Sequence, residues 1–126
     1  MRHSTRLRRR TLFEEALIAI SREFQDENLS LAHVAHSIAT SRRQLQRVFA
    51  EHGTSFRTEL QRARMAHAAK LLRQERMPVA TVARAVGYRQ AAQFSKAFRR
   101  HHGHPPSAVR LATPGRRGAP DSMLAA

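Results

Sequence analysis

The chain has 126 residues, 23 Lys and Arg against 9 Asp and Glu, a net charge of +14 and no cysteine. The missing cysteine excludes disulfides, thiolate zinc sites and cysteine nucleophiles. No apolar run approaches the ~20 residues that a bilayer-spanning helix needs, and Glu14 and Glu15 interrupt the stretch where a signal-peptide core would have to lie. So large a positive excess in so short a chain points to a polyanionic partner, and the arginines that supply most of it suit both phosphate oxygens and guanine edges.

In chain order, residues 1–10 (MRHSTRLRRR) form a basic arm, expected to be mobile before it meets DNA. Thr11 then opens TLFE, a capping-box pattern with Glu14, and Leu12, Phe13, Ala16, Leu17, Ile20 and Phe24 follow at helical spacing as a first scaffold helix. Ser30 is placed as the N-cap of a helix over 31–38, and Ser41 as the N-cap of a helix running to about His52, where Gly53 stops it. From Thr54 or Ser55 to about Gln74 there is no proline or glycine. Such a helix of about 20 residues spans about 30 Å, close to the roughly 34 Å between successive major-groove faces on one side of B-DNA. Met77-Pro78 marks the next boundary. A helix over 79–86 ends at Gly87-Tyr88, another covers about 90–101, and a short last turn includes Ser107–Leu111. The tail from Ala112 is rich in Pro, Gly and Ala and is expected to be disordered.

Two of these stretches repeat each other. Val34, Ala35 and Ile38 correspond to Val82, Ala83 and Val86, and Leu45, Arg47 and Phe49 correspond to Phe94, Lys96 and Phe98. The offset grows by one residue between the two sets, so the second copy has a turn one residue longer. Each copy is a short helix, a tight turn and a second helix with a basic outer face, which is a helix-turn-helix.

In the first copy Leu45, Val48, Phe49 and His52 share the inward face. Ser41, Arg42, Arg43, Gln46 and Arg47 are the candidate DNA contacts, with Ala50 on the same outer side. Arg can bond bidentately to guanine O6/N7 and Gln to adenine N6/N7. In the second copy Phe94, Ala97, Phe98 and His101 face inward, and Arg89, Gln90, Ala91, Ala92, Ser95, Lys96 and Arg99 are the candidate contacts. This set has fewer bidentate groups, so the first copy is expected to discriminate sequence and the second to work more through phosphates and shape. His33 with His36, and His101, His102 and His104, are the only histidine groupings with ligand-like spacing. No carboxylate or cysteine completes either, so no metal and no cofactor is expected. The sequence has no Gly-rich phosphate loop and no acid/base constellation, so an enzyme is not expected.

At this point the chain resembles the DNA-binding region of the AraC/XylS family of bacterial transcription regulators, over about residues 11–111. Ala83, Gly87-Tyr88, Phe94, Phe98-Arg99, Gly103, Pro106 and Arg110 fall where that family's signature places them, and LSLAHVA, Ser41, Leu45, Arg47-Val48-Phe49 and Gly53 add to the likeness. The resemblance implies an all-α fold of about seven helices: a first helix-turn-helix lobe over 11–53, a linker helix over 54–75 and a second lobe over 76–111, flanked by the arm 1–10 and the tail 112–126. It also implies base contacts from Arg43, Gln46 and Arg47 and from Ala91, Ala92, Ser95 and Lys96. The family's usual action is activation at promoter DNA by recruiting RNA polymerase.

The expected protein is therefore a cytoplasmic, nucleoid-associated, monomeric regulator that reads double-stranded promoter DNA and has no membrane partner. Its length resembles the short stand-alone members, and Met1 and the tail favour a complete small protein over the DNA-binding fragment of a larger ligand-responsive regulator. The rival outside this class is a nonspecific nucleoid-associated or RNA-binding basic protein. There are departures from the family pattern: Pro78 and Arg89 replace small hydroxyl residues at the starts of second-lobe helices, and Val109 stands where an aromatic is usual.

Overall fold

The computed structural model describes residues 2–74 and 76–112, with side chains from Leu7 to Val109. All regular structure among them is helical: α1 Arg2–Glu23, α2 Leu31–Ser37, α3 Arg42–Glu51, α4 Phe56–Gln74, α5 Val79–Ala85, α6 Ala91–His102 and α7 Pro106–Ala112. The chain divides into two units, Met1–Arg64 and Met65–Ala126, with the boundary inside α4. Ala112 closes α7; the rest of the expected tail lies outside the described residues.

In the first unit, Leu12, Ala16 and Ile20 recur one turn apart on α1 and are buried with Phe24, Leu29, Val34, Ala35, Leu45, Val48, Phe49 and Leu60. Phe49 sits at the centre, with Phe13 and Phe56 packed edge-on against it at 5.7 and 6.3 Å between ring centroids. The helix expected to start at Thr11 starts at Arg2 instead. Thr11 does not cap: its hydroxyl donates to the Leu7 carbonyl at 3.0 Å, four residues back. The physical reason is propensity. Arginine is a good helix former, so the Arg-rich stretch before Thr11 continues the helix and no chain reversal leaves an end to cap.

Among the described residues of this unit, Arg64 is the buried polar side chain. Its Nε donates to the Phe24 carbonyl and its Nη2 to the Asp26 carbonyl, each at 2.9 Å. The guanidinium thus holds the carbonyls that emerge where α1 ends, in a turn also closed by the Asn28 backbone N–H donating to the Asp26 carboxylate at 2.8 Å.

In the second unit, Met65, Ala68, Ala69, Leu72, Val82, Ala83, Val86, Phe94, Ala97, Phe98 and Val109 are buried. Phe94 packs between Tyr88 and Phe98, with centroids 5.7 Å from each. Val109, in the place where the family pattern has an aromatic, is core all the same. His101, expected to face inward, is exposed, because the core ends before the last turn of α6. The half-buried histidine there is His102, whose ring lies 4.3 Å from Phe98 and whose Nε2 is 3.3 Å from the Met65 carbonyl.

The helix-turn-helix turns share one geometry. After α2, the Ala39 N–H donates to the His36 carbonyl and the Thr40 N–H to the Ala35 carbonyl, with Ala39 at φ 58°. After α5, the Gly87 N–H donates to Arg84 and the Tyr88 N–H to Ala83, with Gly87 at φ 97°. This is the Schellman closure, whose left-handed residue is normally glycine. Ala39 takes that conformation with a Cβ, at a cost of about 1–2 kcal/mol. Ala39→Gly should therefore stabilise the first unit. The extra unfolded-state freedom of glycine offsets about 0.4–1 kcal/mol, leaving a net gain of about 0.5–1 kcal/mol. A thermal melt that falls on this substitution would contradict the assignment.

Candidate nucleic-acid interface

The outer faces of α3 and α6 follow from where their inner faces must go. In α3, Leu45, Val48 and Phe49 are buried, and a 100° turn per residue puts Arg43, Arg47 and Ala50 opposite them, flanked by Arg42, Gln44 and Gln46; all six are exposed. Ser41 begins the helix as expected, its hydroxyl accepting from the Gln44 N–H at 3.0 Å. Exposed as it is, its lone pair serves the helix end first. Arg43 and Arg47 lie one turn apart, about 6 Å along the axis, or about two base steps of 3.4 Å. Two forks at that spacing can address neighbouring base pairs or a base and a phosphate.

Electrostatics support the same face. Arg42 and Arg43 occupy the first turn of α3, which contains no acid. Cations there oppose the helix dipole, so the arrangement costs the free protein something that bound phosphate would offset. Position is held from behind: Phe13 stacks on His52 at 3.8 Å, His52 Nδ1 donates to the Val48 carbonyl at 2.9 Å, and Arg9 Nη1 pairs with Glu51 at 3.0 Å. His52, expected among the inward residues, stays exposed while making these contacts.

On α6 the corresponding outward residues are Ala92, Lys96 and Arg99, all exposed. Ala91 and Ser95 are half-buried. They occupy the angular positions of Arg42 and Gln46, but their short side chains reach less far. Arg89 and Gln90 are exposed in the preceding turn. Gln90, not Arg89, is the N-cap residue of α6, and neither it nor Pro78 at the start of α5 makes a side-chain capping bond. The second unit therefore lacks the caps that Ser30 and Ser41 supply in the first, where each hydroxyl accepts a backbone N–H.

Gln93 and Arg100 are exposed on α6 and Gln44 on α3, although sequence reasoning passes over all three as contacts. The repeat itself contains the signal: the 49-residue offset that pairs Leu45 with Phe94 also pairs Gln44 with Gln93.

Among the described residues no three His, Asp or Glu side chains gather into a metal-holding group. One carboxylate approaches a histidine of the first pair: Glu23 Oε1 lies 3.0 Å from His33 Nε2. No described helix is long and apolar enough to cross a membrane.

A family model described as a helix-turn-helix domain matches residues 34–112. The chain is 39% identical over 89 residues to an uncharacterised HTH-type transcriptional regulator of Mycobacterium tuberculosis, an alignment covering 69% of this chain and 26% of that protein. It is 35% identical over 97 residues to the arabinose operon regulatory protein of Escherichia coli, covering 76% and 33%. The chain thus spans about a quarter to a third of the length of these curated relatives. Among solved structures, the C-terminal domain of AraT, a response regulator from Geobacillus stearothermophilus, matches with a TM-score of 0.77 at 32% identity, over 80% of this chain and 84% of that one. The DNA-binding domain of AdpA, a global transcriptional factor seen in complex with a target DNA, matches with a TM-score of 0.74 at 26% identity, over 82% and 94%.

Proposed function

The chain belongs to the AraC-type helix-turn-helix family of transcription regulators, and from that premise we propose that it reads a specific promoter site, placing α3 and α6 in successive major-groove segments. It acts there as a monomer in the cytoplasm, at the nucleoid, and activates by contacting RNA polymerase. The observation that carries this reading is the duplicated, identically closed turn, each copy followed by a helix with an exposed basic face.

Within that reading the two helices divide the work. Arg43, Gln46 and Arg47 supply bidentate groups for guanine and adenine edges, and α3 carries most of the sequence discrimination. Ala92 offers a methyl to thymine, Lys96 and Arg99 serve phosphates, and Arg89 and Gln90 approach the backbone from the turn, with Ala91 and Ser95 beneath them. A nonspecific or RNA-binding role fits less well. Single-stranded readers need exposed rings for stacking, whereas Phe24, Phe49, Phe94 and Phe98 are buried here.

One observation favours a second reading, the DNA-binding part of a longer regulator: the relatives are three to four times as long as the aligned stretch. DNA contact by α3 and α6 is common to both readings.

Arg47→Ala tests the site. It should cost about 1–3 kcal/mol on the preferred duplex and relax the preference at one base pair. Equal losses on preferred and random duplexes would assign Arg47 to phosphate instead.

A further inference from the structure

The basic segment at the start of the chain is a structured part of the first unit. Residues 2–10 contain five arginines and no acid, and they form the first half of α1. Arg9 is paired with Glu51, the last residue of α3, at 3.0 Å, and one turn further on Phe13 packs against both Phe49 and His52. The beginning of α1 is therefore fixed beside the C-terminal end of α3, where Arg9, Arg10, Glu51 and His52 line an open cleft of about 370 Å³. Arg8 and Arg10 are exposed and make no ion pair with any described side chain.

Two physical facts make this arrangement unfavourable on its own. Arginines in the opening turns of a helix oppose its dipole, and the consecutive charges of Arg8, Arg9 and Arg10 repel one another. A solubilising tail would relieve that repulsion by staying unfolded. Here the helix is continuous and its basic end is pinned by an ion pair that neutralises Arg9 and leaves Arg8 and Arg10 available.

We propose that the first half of α1 is an additional duplex-backbone site: Arg8 and Arg10 contact phosphates flanking the groove that α3 enters, and the Arg9–Glu51 pair positions them. The site adds affinity and no base discrimination, because phosphates contain no sequence information. The proposal rests on the DNA-binding reading above, but its test also works on random duplex, so the two can fail separately.

The test uses the full chain and compares wild type, R8Q/R10Q and the control R22Q, which removes one arginine from the later part of α1. Binding to a random duplex and to the duplex preferred by wild type is measured from about 0.05 to 0.3 M salt. Each phosphate that is no longer neutralised lowers the log–log salt slope by about 0.9. R8Q/R10Q should therefore flatten the slope by about 1.8 on both duplexes, weaken binding to each by the same factor, and leave their ratio unchanged, while R22Q leaves the slope as in wild type. A double variant with the wild-type slope on both duplexes, or a flattening in R22Q at least half as large, would overturn the proposal. Thermal melts run alongside should show the first unit folded in all three, and ethylation of phosphates beside the α3 groove should interfere with wild type but not with R8Q/R10Q. If wild type shows no preference between duplexes, the specific-binding reading fails, and the slopes on random duplex still decide this one.

Discussion

Replacing Phe98 or Phe49 by alanine should lower unfolding stability by about 3–5 kcal/mol in each case. Both rings are essentially inaccessible, at 0% and 1% exposure, and each is the hub of an aromatic group: Phe98 touches Phe94, His102 and His104, and Phe49 touches Phe13 and Phe56. Each also lies on the inner face of a helix whose outer face is proposed to meet DNA. The cavity left by truncation cannot be refilled by neighbours already fixed by helix backbone, so the cost exceeds the loss of transfer free energy alone. A domain of this size loses roughly 4 °C or more per kcal/mol, so melting should fall by more than about 10 °C. A melt unchanged within a degree or two would refute the core assignment for that residue. DNA binding measured below the lowered melting point separates the roles. A ring that only supports the helix loses affinity in proportion to the unfolded fraction.

The second large effect is expected at Arg64. Its guanidinium donates to two carbonyls at the end of α1, those of Phe24 and Asp26, from a site 9% exposed. Hydrogen bonds from a charged donor contribute about 1.5–3 kcal/mol each, and their removal leaves the carbonyl of the buried Phe24 without that partner. Against this stands the cost of desolvating the guanidinium, which an apolar replacement avoids. The net loss expected for Arg64→Met is about 2–4 kcal/mol. Arg64→Lys should recover only part of it, because one ammonium cannot reproduce two bonds from a planar fork. Urea unfolding of both variants measures this; equal stability of Arg64→Met and wild type would show that the two bonds contribute nothing net.

Local signals are legible in the sequence, and long-range ones are not. Ser30 and Ser41 read as caps because an N-cap needs only a side-chain oxygen three residues before its donor, and both bonds form. The longer second turn is legible from the offset between the repeats. After the left-handed residue, Thr40 and Ser41 lead into α3, whereas Tyr88, Arg89 and Gln90 lead into α6. The start of α1 is not legible, because TLFE satisfies a capping pattern that also occurs inside helices, and only the path of the chain decides between them. Arg64 leaves no trace in the sequence. Its partners lie 38 and 40 residues away, and an arginine in an arginine-rich helix looks like surface charge. Helical angle groups His52 and His101 with the inward residues, but the buried positions stop at Phe49 and Phe98, three residues before each, and both histidines are exposed.

For the interface, periodicity singles out the basic outer faces of α3 and α6, and the long residues proposed for them are exposed. Periodicity does not give reach. Ala91 and Ser95 share angular positions with Arg42 and Gln46 but are half-buried, because side-chain length decides how far each projects.

The measurement that tests the central claim most directly is selection of bound duplexes from a random DNA pool, with the purified chain at about 0.15 M salt, where exposed charges are screened over roughly 8 Å. The account predicts enrichment of an asymmetric site with two boxes about one helical turn apart, one of which loses its preference in the Arg47→Ala protein. Binding with no enriched sequence would contradict it and would leave a basic protein held to DNA by charge alone.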